Sequence, residues 1–169
     1  LNDIYDLEID LVNRPDRPLP SGRISLKNAK IATFVTMVSS VASLVVCYYL
    51  ISRSELGGNL TVTDWYPSVL IWFLALILLI NYEFPYGLRL KDRGLPGNIA
   101  ISISVGLVVV FGSSAALQPY NTKAWSLFFV GIFYNTSREI IKDVEDMEGD
   151  KGRNTLAMRI GSDLSLIHI

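Results

Sequence analysis

The sequence predicts an all-α protein, a polytopic bundle of transmembrane helices of which this chain carries about four complete spans. Three observations predict it. Half of the 169 residues are hydrophobic, net charge is only −1 and mean hydropathy is +0.37, a composition typical of membrane bundles. Uncharged stretches of span length recur along the chain. The charges are confined to segments between those stretches, and all but two of the 15 Lys and Arg residues fall on one side of them.

The chain opens on an acidic triplet, Asp3, Asp6 and Asp10, that recurs at the same spacing as Asp143, Asp146 and Asp150, with Glu8 and Glu148 at equivalent positions. On a helix turning 100° per residue, positions i, i+3 and i+7 share one narrow face. Like charges at that spacing repel. A divalent cation relieves the repulsion, and hard oxygen donors without clustered His or Cys point to Mg²⁺, which bridges a few carboxylates to phosphate oxygens. Two such faces suggest a diphosphate held from both sides. The bland alternative is a solvated polar face at each helix end, and the repetition at identical spacing weighs against it.

Pro15, Pro18 and Pro20 follow the first triplet. They cannot continue a helix and predict a rigid, extended loop that holds Arg17 near the carboxylates; a plain helix-ending connector is the alternative. Ile31–Ile51 and Trp65–Tyr82 are uncharged and make the first two spans, and Gly94–Thr122 contains the third. Ala124–Ser137 is too short alone, so its helix is predicted to run on through Arg138, Glu139 and Lys142, with the charged turns in a protein-lined cavity. Gly152 suits the exit of that helix. Small residues within the spans (Ser39, Ser40, Ala42 and Ser43, then Ser102, Ser104, Gly106, Gly112, Ser113 and Ser114) predict close helix packing. Tyr48, Tyr49, Trp65 and Tyr66 read as interfacial anchors, Cys47 as an apolar packing residue, and Asn59-Leu60-Thr61 as a glycosylation sequon.

The loop between the second and third spans carries Tyr82, Tyr86, Arg89, Lys91 and Arg93. Its cations would neutralise diphosphate oxygens, and a purely topogenic role explains them equally well. Arg138 and Lys142, beside the second triplet, either hold phosphate oxygens or balance charge. The positive-inside bias puts both triplets and the central loop in the cytoplasm, with the protein multi-pass in the cell membrane. Both ends read as cut, since no Met opens the chain and the first residue already adjoins a motif. Residues 1–163 are expected to form part of a longer domain. Residues 164–169 resemble a translated sequencing adapter, so His168, the lone histidine, is given no role.

The motifs Asn2-Asp3-x-x-Asp6-x-x-x-Asp10 and Asn13-x-Pro15-x-Arg17-Pro18-Leu19-Pro20-Ser21-Gly22 resemble the first signature of the UbiA-type intramembrane prenyltransferases. Arg138-Glu139-x-x-Lys142-Asp143-x-x-Asp146-x-Glu148-Gly149-Asp150, with Thr155, Leu156 and Gly161 after it, resembles the second. The resemblance implies a bundle of nine helices in the full protein and transfer of a prenyl group from an isoprenoid diphosphate, with Mg²⁺. By that likeness Asp3, Asp6, Asp10, Asp143, Asp146 and Asp150 bind the metal-diphosphate complex together with Asn2. Arg17, Lys91, Arg138 and Lys142 are candidates for diphosphate or acceptor-phosphate contacts.

Span aromatics such as Phe128, Phe129, Phe133 and Tyr134 are candidates to line an apolar chamber for the isoprenoid, or to serve packing alone. The second motif is most similar to the family branch that moves a geranylgeranyl group onto geranylgeranylglyceryl phosphate in archaeal ether-lipid synthesis. The alternative is an aromatic acceptor, as in quinone, tocopherol-like or chlorophyll biosynthesis. Expected partners are an isoprenyl diphosphate donor, a lipid-like or aromatic acceptor and the bilayer, with no nucleic acid. A soluble isoprenyl diphosphate synthase would share the acidic helices and Mg²⁺ but needs charged outer faces that these spans lack. A cation transporter would carry its carboxylates near mid-span, whereas here they gather at span ends.

Overall fold

The uncharged stretches Ile31–Ile51, Trp65–Tyr82 and Ala124–Ser137 each lie within a helix, and Gly94–Thr122 contains one, in a computed structural model that describes residues 2–54, 58, 61–84 and 86–167. Asn59 and Leu60 of the sequon, and His168, lie outside those residues. The first acidic segment forms two short helices, α1 (Asn2–Tyr5) and α2 (Leu7–Asn13). A bend at Asp6 separates them, although Asp6 N still donates to Asn2 O (2.9 Å) and Asp10 N to Asp6 O (2.7 Å). The proline loop that follows is not extended, as the sequence suggested, but coils into turns closed by Ser21 N to Arg17 O (2.9 Å) and Ile24 N to Pro18 O (2.9 Å).

Four long helices come next. Ser25 caps α3 (Leu26–Ser52) by accepting from Asn28 N, and Thr61 with Asp64 makes a reciprocal capping box for α4 (Val62–Glu83). A 3₁₀ turn at Leu90–Arg93 leads through Gly94, whose φ of +65° is open chiefly to glycine, into α5 (Leu95–Ala115). Asn121 caps α6 (Thr122–Glu145). Two short helices, α7 (Leu156–Ile160) and α8 (Ser162–Leu166), pack back against α6.

Among the described residues α3, α4 and α5 are long and apolar enough to cross a membrane. As expected, α6 runs unbroken through Arg138, Glu139 and Lys142. Three positions beyond Lys142 the helix stops at Glu145, seven positions short of Gly152. The second triplet therefore does not share one helix face: Asp146 is the C-cap residue and Asp150 lies in the turn beyond. Gly149 and Gly152 weaken the helix in this stretch, and a tertiary contact described below engages the turn that replaces it.

The core is the α4–α5–α6 layer, with Leu107, Val110 and Phe128 at its centre. Small residues let α5 approach both neighbours. A Cβ on Gly106 would meet the Phe128 ring at 2.9 Å, Ser68 and Ser114 pair at 2.9 Å across α4 and α5, and Asn135 donates to Ser102 at 3.2 Å across α6 and α5. In hydrocarbon such pairs satisfy hydroxyls and amides that have no water to turn to. The small residues of α3 behave differently, for no residue of that helix is buried. It touches α4 through Ser40, which accepts from Trp72 Nε1 at 2.9 Å. Of the expected anchors Tyr49 and Tyr66 are exposed, but Trp65 is buried against Tyr48 with ring centroids 5.8 Å apart.

Candidate functional site

Helices α3 to α6 alternate in direction, so the end of α4, the 3₁₀ turn, the start of α5 and the end of α6 meet the first acidic segment at one end of the bundle. There Asp6, Asp10, Asp143, Asp146 and Asp150 line a single small polar cavity. Asn2, Arg17, Lys91 and Lys142 line it too. Two sequence candidates do not. Asp3 is exposed and reached by Arg17 at 3.4 Å, because the bend at Asp6 turns it outward. Arg138 points to the outer face of α6 beside Tyr134 and Ile141, and the inward position is taken by Glu139, to which Arg138 pairs at 2.9 Å.

Each carboxylate of the cavity is met by a cation or an amide. Lys91 Nζ bridges Asp6 (2.5 Å) and Glu83 (2.6 Å). Arg17 donates to Asp10 at 2.8 Å, Arg14 grips both oxygens of Asp146 at 2.9 and 3.1 Å, and Asn98 donates to Asp143 at 3.0 Å. With its amide nitrogen turned toward the acids, Asn2 donates to Asp6 at 3.1 Å and to Glu83. Arg153 joins three segments, reaching Asp150 (3.2 Å), Asp92 (3.3 Å) and Asp6 (3.6 Å).

Burial pushes the Asp150 carboxyl above its ordinary range; Arg153 opposes that push, while the nearby Asp146 and Asp6 carboxylates add to it. Burial alone would lower the Arg153 guanidinium, but Asp6, Asp150 and Asp92 outweigh it and hold its pKa above the ordinary value. Among the described residues no three carboxylates converge tightly enough to hold one ion by themselves. A hard divalent cation here would take one or two carboxylates and fill its shell from ligand oxygens and water, which is the coordination habit of Mg²⁺. The donor set, all oxygen with no thiol or imidazole, fits such an ion.

The sequence reading assigned no role at this site to several of its residues. Glu83 closes an apolar span with a buried carboxylate, and Arg153 counted only toward the charge bias. Asn13 ties the two motifs directly: its Nδ2 donates to Asp146 O at 2.9 Å and its Oδ1 accepts from Gly149 N at 2.8 Å. A Cβ on Gly149 would fall 2.4 to 2.6 Å from that amide, so glycine is what admits it. Thr155 is 3% exposed and lines the cavity, and its hydroxyl has no hydrogen-bond partner among the described residues.

A second, apolar cavity of about 610 Å³ adjoins the first. Met37 of α3, Trp72, Leu76 and Leu79 of α4 and Ile101 of α5 line it, and Asn2, Tyr82 and Lys142 border both cavities. The aromatic candidates of α6 lie elsewhere: Phe128 is in the core, while Phe129, Phe133 and Tyr134 are exposed on the outer face. The arrangement offers an ionic pocket for a polyanion opening onto an apolar slot for a chain attached to it.

The model of the UbiA prenyltransferase family matches residues 1–169. The chain is 36% identical to a digeranylgeranylglyceryl phosphate synthase of Methanobrevibacter smithii, over 99% of this chain and 54% of the relative. It is 35% identical to the same-named protein of Methanosarcina mazei, over 96% and 50%, and 32% identical to that of Sulfolobus acidocaldarius, over 95% and 51%. The chain thus spans about half the length of the curated relatives it matches. No solved structure matches it.

Proposed function

Because the chain belongs to the UbiA prenyltransferase family, we propose that it forms part of a Mg²⁺-dependent membrane enzyme that transfers a geranylgeranyl group from geranylgeranyl diphosphate to geranylgeranylglyceryl phosphate, releasing diphosphate. Residues 1–163 supply part of the domain, and its acidic end faces the cytoplasm. The observation that carries this reading is the continuity of the ionic and apolar cavities through Asn2, Tyr82 and Lys142. An allylic diphosphate has that polarity, and its reacting carbon would sit at the junction.

Asp6, Asp10, Asp143, Asp146 and Asp150 would hold Mg²⁺, which when bound neutralises charge on the departing diphosphate. Lys91, Arg17, Lys142 and Arg153 add fixed positive charge on the same side. The bond from the allylic carbon to the diphosphate oxygen breaks with its electron pair leaving on oxygen, and the acceptor hydroxyl attacks the carbon and loses its proton. The apolar walls keep water from competing for that carbon. The names of the relatives favour a glyceryl phosphate acceptor over an aromatic ring.

The test uses the full-length protein in membranes with Mg²⁺ and geranylgeranyl diphosphate, offering geranylgeranylglyceryl phosphate and 4-hydroxybenzoate in parallel. Diether phosphate detected by mass, and lost in Asp6→Ala and Asp146→Ala controls, is the expected product. Prenylated benzoate instead would keep the mechanism and change the acceptor.

Thr155 provides a prediction whose two readouts move in opposite directions. A buried hydroxyl without a partner is costly, and its isosteric apolar replacement is neutral or stabilising. Thr155→Val is therefore expected to unfold at the same or a higher temperature. If the hydroxyl donates to the diphosphate, the same variant should bind the donor about tenfold more weakly. Unchanged donor affinity would remove Thr155 from the site.

A further inference from the structure

We propose a second anion subsite, built from Arg93 and Arg159 beside the 3₁₀ turn, that takes the phosphate monoester of the acceptor lipid. A cavity of about 660 Å³ opens there, bordered by Arg89, Asp92, Arg93, Asn154 and Arg159. Its arginines differ from those of the first site. Arg14, Arg17 and Arg153 are each held by carboxylates. Arg93 and Arg159 instead donate to backbone carbonyls, at Leu88 O (3.0 Å) and Arg93 O (3.4 Å), and among the described residues neither has a carboxylate partner. Arg89 is already taken by Asp92 at 2.7 Å. Two guanidinium forks therefore face one cavity with charge to spare, beside the amide of Asn154, and such forks match phosphate geometry.

The backbone brings them together from separate segments. Gly94, at φ +65°, leaves room for the Arg159 side chain, whose Nη1 would lie 3.4 Å from a Cβ placed there. Arg89 itself adopts a left-handed conformation at φ 45° to reach Asp92, a geometry that costs a non-glycine residue energy.

Position argues for the acceptor rather than the donor. Asp92 borders this cavity and also accepts from Arg153, which reaches Asp6 and Asp150 of the first site. One carboxylate thus separates the two anion sites. In a glyceryl phosphate lipid the free hydroxyl lies only a few bonds from the phosphate, so a molecule anchored by its phosphate in the second site would direct that hydroxyl toward the first. The inference rests on the function proposed above in taking a phosphorylated lipid as acceptor.

A topogenic role for these arginines needs only positive charge, which lysine keeps, whereas bidentate phosphate recognition needs the fork. The experiment compares the full-length protein with Arg93→Lys/Arg159→Lys and Arg93→Gln/Arg159→Gln. Equilibrium binding of geranylgeranylglyceryl phosphate and of unphosphorylated geranylgeranylglycerol is measured without donor, in phosphatidylcholine vesicles and in vesicles containing phosphatidylglycerol. Both variants are expected to bind the phosphorylated lipid about tenfold or more weakly, in both kinds of vesicle, with the unphosphorylated alcohol and the KM for geranylgeranyl diphosphate unchanged. Wild-type affinity in the lysine variant, or a defect confined to anionic vesicles, would overturn the proposal in favour of bulk charge or leaflet headgroups. Phosphate-dependent binding through these arginines without subsequent transfer would sustain the subsite while refuting the reaction.

Discussion

Lys91→Met is expected to lower both stability and transfer, and the two losses are separable. Lys91 Nζ lies between Asp6 and Glu83, and all three side chains are nearly withdrawn from solvent, at 9%, 12% and 6% exposure. Removing one partner of a buried ionic group leaves the others uncompensated, at a cost of about 3 to 5 kcal/mol. Asp6 keeps Arg153 at 3.6 Å, so Glu83 is the group left most exposed to this penalty. On the proposed mechanism the lysine also faces the departing diphosphate, and loss of one such charge should slow transfer about 10²- to 10³-fold.

Adding Glu83→Gln removes the orphaned charge at nearly constant shape. Lys91→Met/Glu83→Gln should regain most of the unfolding temperature in detergent and none of the transfer rate. Recovery of both would reduce Lys91 to charge balance, and a single variant as stable as the wild type would mean that water reaches the pair.

Where charge and apolarity alternate on the scale of a span, the sequence was a good guide. The positions of α3, α4 and α5, the passage of α6 through its charged turns, and the meeting of the two acidic segments all follow from segregation that a bilayer enforces. What it hid was set by contacts between distant segments. Gly149 and Gly152 announce an exit from α6 but not its place at Glu145, four and seven positions earlier. The outward turn of Asp3 depends on a bend that keeps its hydrogen-bond ladder. Arg138 and Lys142 are four positions apart and read as one face, yet α5 covers the neighbouring stripe, so Glu139 is buried and Arg138 stays outside. Glu83, Asn98 and Arg153 became legible only once the ends of α4, α5 and α6 were brought together. A carboxylate or amide at the very end of an apolar span was the available signal.

Asn13 and Gly149 should behave as one unit. Asp146 and Asp150 stand on a turn rather than a helix, and the Asn13 amide ties that turn by donating to Asp146 O and accepting from Gly149 N. Asn13→Ala removes the amide, while Gly149→Ala leaves it in place and drives a methyl into the space it occupies. Either change should let the second triplet drift from the first, and a displacement of about 1 Å in a catalytic constellation can cost about 10²-fold in rate. Because both act by breaking the same contact, the double variant should be no worse than either single. The half-saturating Mg²⁺ concentration should rise together with the loss of rate, since the carboxylates would no longer converge. Rates that fall by the product of the single effects would mean independent roles. A loss of folding without any change in Mg²⁺ dependence would make the contact purely structural. The non-additive outcome would give Gly149 a physical reason for its lack of a side chain: it is the gap through which the first acidic segment holds the second.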